Sequence, residues 1–444
     1  MSSQTIPMTA PQEGGYKQAM LIIGGLFAVF GFVTWLNSSL IQFLKLLCNL
    51  TDSQSLMVTF AFFIPYFLWS LPSSVVLKKV GFKNGMAIGL VVMAIGSILF
   101  IPAANSHSFI LFLVGLFIQG AGLSLLQTAT NPYVSILGPI ESAAKRISIM
   151  GICNKLAGVI SPLILSTILL KNATEVEEKI KSTTDAVVKT QLLDELAGRV
   201  IMPYIALTLF LLLVAFLIRR SNLPEIEAEE TDASGASVPA RSSLGKYPYL
   251  WLGALCIFMY VGVEVMAGDV IGIYGKSLGL SADAAKYFSS FTLGSMLVGY
   301  IIGIFTIPKV ISQDTALRIS AVLGILFTLG AYFTDGNTAI ACIALLGLAN
   351  ALMWPAIFPL AIEGLGKYTK LGSAILVMGI AGGAILPQIY TGLYEKDSLF
   401  GFALHGEGVT FKTAFLYAMV PCYVYILFYA VKGHTIGKVR TAKK

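Results

Sequence analysis

Charge is what this sequence has least of. Only 12% of its 444 residues are Asp, Glu, Lys or Arg, whereas a soluble globular protein carries roughly 25%. By length alone the chain could form two or three soluble domains, but so little charge cannot give them a polar surface. Histidine is scarcer still. His107, His405 and His434 are the only three, and they fall in predicted loops or the tail. No nucleophile–base spacing and no Walker sequence is present, so an enzyme or an ATPase has nothing to work with, and no cofactor is expected. The five cysteines (Cys48, Cys153, Cys256, Cys342, Cys422) are scattered singly. Without a CxxC or other metal spacing they exclude a disulfide or zinc framework. A cleavable signal is missing too, since the first apolar run, 18–44, is too long for a signal h-region and lacks a clean cleavage site. It reads as a retained membrane span.

What the sequence has in abundance is apolar residues, 56% of the chain. Crossing the hydrocarbon core takes about 20 mostly apolar residues. Runs of that kind lie at 18–44, 55–77, 85–103, 108–136, 146–170 and 200–219, and again at 248–275, 284–308, 316–334, 338–362, 371–394 and 412–432. The predicted fold is an all-α membrane protein of twelve transmembrane helices in two six-helix halves. The halves are residues 1–220 and 247–444, joined by a cytoplasmic linker at 221–246. The linker holds Pro224-Glu-Ile-Glu-Ala-Glu-Glu followed by Ala233-Ser-Gly-Ala-Ser, a composition that cannot bury apolar area. Residues 171–199 are mixed in charge and helix-compatible, and predict a helical excursion outside the membrane.

The net charge of +7 could point to nucleic acid. The basic residues, however, sit in short gaps between apolar runs, where membrane topology accounts for them and no nucleic-acid partner is expected. With the N-terminus inside, nineteen of the 30 Lys and Arg fall on the cytoplasmic side and ten opposite. Five of those ten lie in the long 171–199 loop, where charge has little influence on orientation. Both termini are therefore expected in the cytoplasm, and the remaining basic residue, Lys155, lies in the middle of a span. A shift of 227 places Gly120 on Gly347, Gln127 on Trp354 and Pro132 on Pro359. A shift of 228 places Gly138 on Gly366 and Met150-Gly-Ile on Met378-Gly-Ile. With the central linker, this faint repeat predicts two parallel halves of the major facilitator type.

Several stretches carry a more specific likeness. Phe30-Gly-Phe-Val-Thr-Trp-Leu-Asn37, Gln127-Thr-Ala-Thr-Asn-Pro-Tyr-Val, Ile136-Leu-Gly-Pro and Tyr260-Val-Gly-Val-Glu264 resemble the fucose permease family of the major facilitator superfamily. So do Asn350-Ala-Leu-Met-Trp-Pro-Ala-Ile-Phe, Glu363-Gly-Leu-Gly-Lys, Gly372-Ser and Gly382-Gly-Ala. Ile149-Met-Gly-Ile-Cys-Asn-Lys-Leu-Ala-Gly is similar to the branch that holds glucose/galactose and N-acetylglucosamine permeases. The resemblance implies import of a monosaccharide of that class by alternating access, coupled to a cation (H+ or Na+). It also implies a monomeric, multi-pass protein in the lipid bilayer of the bacterial inner (plasma) membrane. Two departures bear on coupling. Where fucose permease carries an Asp after the residue matching Asn37 this chain has Ser38, and where it carries a Glu this chain has Gln127. Those acids belong to the family's proton coupling, and neither position can titrate here.

Polar side chains inside spans need a partner or water. Gln127 and Asn131 are four residues apart, as are Asn350 and Trp354, so each pair is expected to share one helix face. Amides supply donors and acceptors, and an indole supplies an apolar face and one donor, which together match the hydroxyls and C–H faces of a sugar. Asn37, beside Trp35, and Asn154 belong to the same expected binding set. The plainer alternative is interhelical amide bonding, worth about 0.6 kcal/mol on average in a membrane protein. Trp69 and Trp251 fit interface belts, Gly299 and Gly303 a close helix contact, and Lys78-Lys-Val-Gly-Phe-Lys a basic loop between spans. Asn49-Leu-Thr and Asn172-Ala-Thr match a glycosylation pattern that is frequent by chance. Lys155, Glu264 and Asp269 are the formal charges well inside spans, and intramembrane charge marks functional candidates, the alternative for Asp269 being a solvated place near the outer end of its helix. Lys155 is expected to pair inside the protein, with Glu264 preferred over Asp269, and Glu264 is the expected coupling acid. Two other readings stay open on the sequence, an uncoupled sugar uniporter and a non-transporting sugar sensor. A channel would need charge rings or a filter loop, and neither is present.

Overall fold

The computed structural model describes residues 13–136, 143–221, 223, 244–307, 310–365 and 368–438. Most of the expected 221–246 linker lies outside them, as do Leu137-Gly-Pro, Lys309, Lys367 and the tail from 439. The main helices are α1 (Glu13–Leu47), α2 (Met57–Ile98), α3 (Phe109–Ile136), α4 (Ala143–Leu169), α5 (Ala173–Ser182) and α6 (Ala186–Arg220). They continue with α7 (Pro248–Gly268), α8 (Phe288–Thr306), α9 (Gln313–Phe333), α10 (Gly336–Asn350), α11 (Met353–Ile362), α12 (Thr369–Met378), α13 (Gly382–Tyr394) and α14 (Phe411–Val431).

Eleven helical segments among the described residues are long and apolar enough to span a bilayer, and one of them, Met57–Asn105, runs 49 residues. That is twice the length a crossing needs. It turns at Gly81, whose φ of 77° and ψ of 169° lie outside the helical region and suit a residue with no Cβ. Counting it twice gives twelve spans, with Lys78, Lys79 and Lys83 at the turn. Span 10 is α10 plus α11, and the break has a local cause. Pro355 has no N–H to offer the carbonyl of Ala351, and its ring crowds that turn, so the helix is interrupted by a turn at Ala351-Leu352, whose backbone angles stay right-handed. Span 11 is α12 plus α13, joined by a 3-10 turn at Gly379–Ala381.

Within the first half α1 packs on α4, and α2 packs on α3 and α6. In the second, α7 packs on α11, α13 and α14, α8 on α10, and α9 on α10 and α14. The halves meet where α4 (span 5) lies against α8 (span 8), and where α2 lies against α12 and α13 (span 11). Exchanging the halves turns span 5 into span 11 and span 8 into span 2, so one seam maps onto the other. The repeat glycines show the same relation. A Cβ on Gly120 would overlap the carbonyl of Phe62 on span 2, and one on Gly347 would overlap the carbonyl of Thr292 on span 8. Both positions carry glycine because backbone meets backbone there.

The 171–199 segment forms a helical excursion on the face opposite the termini. After α5, Asp185 caps α6 by accepting from the N–H of Val187 at 2.8 Å, and α6 then runs unbroken into span 6, starting before the expected 200. Here α5 ties the halves together. Glu177 accepts from Lys276 at 2.8 Å and from Lys181 at 2.9 Å. Asp283 accepts from the N–H groups of Ala173 at 3.3 Å and Thr174 at 3.2 Å, which the first turn of α5 leaves free. Lys286 donates to the carbonyl of Leu170 at 3.1 Å. Across the bundle on the same face, Glu395 accepts from the N–H of Asp52 at 3.2 Å and of Ser53 at 2.8 Å.

One pH response follows. Burial opposes ionisation of Glu177, but the ammoniums of Lys276 and Lys181 outweigh it and hold its carboxyl below the usual range. A depressed carboxylate contributes stability above its unfolded value, about 4.3 for Glu, and loses it as pH falls through the lowered one. The distance between spin labels on α5 and on Ile271–Ser277 should therefore lengthen as this face is acidified from about pH 5 to about pH 3. Glu177→Gln should abolish that step.

Candidate functional site

A cavity of about 110 Å³ lies between the halves near the middle of the bundle. From the first half α1 contributes Phe27, Phe30, Thr34 and Trp35, α2 contributes Phe63 and Tyr66, α3 contributes Gln127 and Asn131, and α4 contributes Gly151, Asn154 and Lys155. From the second, α7 contributes Tyr260 and Glu264, α8 contributes Tyr300, and α11 contributes Trp354 and Pro355. A larger crevice of about 500 Å³ lies between spans 1, 5 and 6. It is lined by residues such as Val29, Phe32, Ile164 and Phe210 and lacks the amides that mark the central cavity.

The cavity wall combines amides with aromatic faces. Gln127 donates from Nε2 to the hydroxyl of Tyr66 at 2.8 Å, which leaves its carbonyl oxygen and second N–H for another partner. Asn154 donates from Nδ2 to the carbonyl of Phe27 at 3.2 Å. Trp354 stacks on Phe358 with centroids 5.6 Å apart and meets Tyr260 at 6.4 Å.

An ion pair joins the two halves across this cavity. Nζ of Lys155 lies 2.5 Å from Oε1 of Glu264, and the residues are 6% and 8% exposed. The ammonium also sits over the Trp35 ring, 4.6 Å from its centroid, where the π face favours a cation. The indole is wedged between spans 5 and 7, since a Cβ on Gly158 or on Gly268 would strike it. A lysine at a span centre costs about 2.5–3.5 kcal/mol on insertion scales, and a carboxylate plus an aromatic face offset that here.

Gln127, Asn131, Asn154, Lys155, Glu264 and Trp354 thus come together on one cavity. Asn37, Asn350 and Asp269 do not line it. Asn350 is fully buried and its Oδ1 accepts from the hydroxyl of Tyr423 on α14 at 2.9 Å. It is expected to share a helix face with Trp354, but across the turn at Ala351-Leu352 its side chain meets Tyr423 while Trp354 lines the cavity. Asn350→Ala should accordingly cost stability, about 1–3 kcal/mol for the stranded Tyr423 hydroxyl, and leave ligand affinity near that of the parent. A melting curve of the detergent-solubilised protein with a binding isotherm checks both. Tyr66, Tyr300 and Thr34 escaped the sequence reading because an aromatic or a threonine in a span carries no signal of its own. Tyr260 could have been found, since it sits one turn before Glu264 on the same face.

The fold of two packed halves is shared with known proteins. Residues 21–387 match the Major Facilitator Superfamily. A glucose/galactose transporter of Brucella abortus is 34% identical over 424 residues, covering 95% of each chain. The chain belongs to the Major Facilitator Superfamily. An L-fucose–proton symporter of Escherichia coli is 28% identical over 392 residues, 87% of this chain and 89% of that one. The crystal structure of the superfamily transporter FucP in the outward conformation superposes with a TM-score of 0.72 at 25% identity, covering 94% of this chain and 98% of that one. Within the superfamily the chain stands with these fucose and glucose/galactose permeases, which are transporters and not enzymes.

Proposed function

We propose that this protein imports a monosaccharide of the glucose, galactose or N-acetylglucosamine class, driven by a coupled cation, by rocking its halves about the central cavity. The observation that carries the reading is the cavity wall, where amides from α3 and α4 face aromatic rings from α7 and α11 across the seam. Hydroxyls need paired donors and acceptors, and the C–H faces of a pyranose need flat apolar surface. Gln127, Asn131, Asn154 and Trp354 are the side chains assigned to the sugar. The Brucella and Escherichia relatives support the substrate class and favour a proton as the coupling ion. The protein is taken to act as a monomer in the bacterial inner membrane with both termini in the cytoplasm, as the distribution of Lys and Arg indicates.

Binding of labelled neutral and N-acetylated monosaccharides, followed by counterflow of the tighter ligand in proteoliposomes, tests the assignment. Saturable binding displaced by unlabelled sugar, with exchange across the membrane, is expected. A protein that binds but never exchanges would be a sensor, and one that ignores all these sugars would refute the substrate class.

A further inference from the structure

Of the three charges well inside the spans, two satisfy each other and one is left over. Lys155 is the cation of Glu264. Asp269 stands five residues farther along the chain, at the C-terminal end of α7, on the side of the cavity away from the termini. It is 1% exposed, and neither carboxylate oxygen has a hydrogen-bond partner. An ionised carboxylate buried without donor or cation carries a desolvation penalty of several kcal/mol. In this closed arrangement the group is complete only with something positive on it.

Its surroundings are polar but hold no partner for it. Trp35, which carries the Lys155 ammonium on its face, also touches the position of Gly268, the residue before Asp269. Thr292 donates to the carbonyl of Ala267 at 2.9 Å, which fixes the register of the antiparallel α7 and α8. At about 1.5 Å per residue, Ser289 then stands at the depth of Asp269. The Ser289 hydroxyl is also buried without a partner, and so is Nδ2 of Asn37, two residues beyond Trp35 on α1. Three helices from both halves thus present unsatisfied polar atoms between the cavity and the tied face. The charged groups beside Asp269 are Glu264 on its own helix and Lys155 on α4. From α8 come the neutral Ser289 and Thr292, and from α1 Trp35 and Asn37. No cluster of three or more acidic, His or Cys side chains that could hold a metal is present among the described residues.

We propose that Asp269 is the site that takes up and releases the proton coupled to sugar import. The inference rests on the transport reading above and moves the coupling acid from Glu264, which is held by Lys155, to Asp269. When the halves part on the face opposite the termini, hydronium transfers a proton to a carboxylate oxygen of Asp269 and leaves water. The neutral acid can then be buried as the face closes. When the cavity opens toward the termini the proton passes to water there, the carboxylate is restored, and the cycle can repeat. Ser38 and Gln127, which cannot titrate, have no part in this step.

The test uses proteoliposomes of the full chain with labelled sugar, without sodium, and with the interior alkaline. One proton per sugar allows the parent up to about tenfold accumulation for a one-unit pH gradient. In Asp269→Asn accumulation should collapse to an inside-to-outside ratio of about 1, because nothing links sugar to the gradient, while labelled and unlabelled sugar still exchange. Accumulation retained in Asp269→Asn, loss of exchange together with accumulation, or a parent that exchanges sugar but accumulates none under the pH gradient would each overturn the proposal. Should Asp269→Asn not assemble, Asp269→Glu decides. A pH profile of accumulation displaced from the parent's supports the assignment, and a superimposable one refutes it. A parent that shows no counterflow at all would instead sink the sugar-transport reading.

Discussion

Lys155→Met and Glu264→Gln should each lose about 3–5 kcal/mol of stability, because removing one partner of a buried pair strands the other. The double variant should lose much less than the sum, since no uncompensated charge then remains. The coupling energy of that cycle measures the pair directly. Its position adds a functional consequence. Lys155 stands on α4 and Glu264 on α7, one in each half, so the bridge must loosen whenever the halves part there. Both ions then meet water in the opened cavity, and the pair re-forms on closure. Either single variant should therefore slow sugar translocation more than it weakens sugar binding, with the double variant partly restored. Thermal melting of purified variants and initial rates of exchange give the two readouts. Additive losses in both would mean that the 2.5 Å contact plays no part in the cycle.

Gln127→Ala and Trp354→Ala should each weaken sugar binding about tenfold to a hundredfold, as expected when a buried hydrogen-bonding or stacking partner worth about 1–3 kcal/mol is removed. The two face one cavity from opposite halves, so a sugar bridging them requires both. Equilibrium binding of labelled sugar to each variant tests this. The contrast with Asn350→Ala is as informative as the losses themselves, because Asn350 is turned toward Tyr423. If Asn350→Ala weakened binding as much as Gln127→Ala does, the cavity wall would have been drawn wrongly.

The twelve-span fold was legible because the bilayer imposes one length and one composition on every crossing. Even the Gly81 turn was foreshadowed by Lys78, Lys79 and Lys83 between two apolar runs. The repeat is faint in sequence, and at Gly120 and Gly347 its physical reason is that backbone meets backbone there. Charged residues in the spans were also readable. Lys155 had no neutralising neighbour in sequence, and a carboxylate in span 7 was the remaining source. The wall of the site was less legible. Tyr66 and Tyr300 contribute hydroxyls from stretches with no polar motif, and Thr34 carries no signal of its own beside Trp35 and Asn37. Asn350 bonds Tyr423 instead of lining the cavity, which its spacing of four residues from Trp354 does not reveal. The ties of α5 to the second half depend on N–H groups of Ala173 and Thr174, which side-chain identity does not reveal.

The measurement that tests the central claim most directly is uptake of labelled glucose, galactose and N-acetylglucosamine into proteoliposomes of the purified chain under an imposed pH gradient. Accumulation of at least one of these sugars above its external concentration, lost on adding a protonophore, is the predicted result. Saturable binding with no label gained inside the vesicles, with or without the gradient, would contradict it.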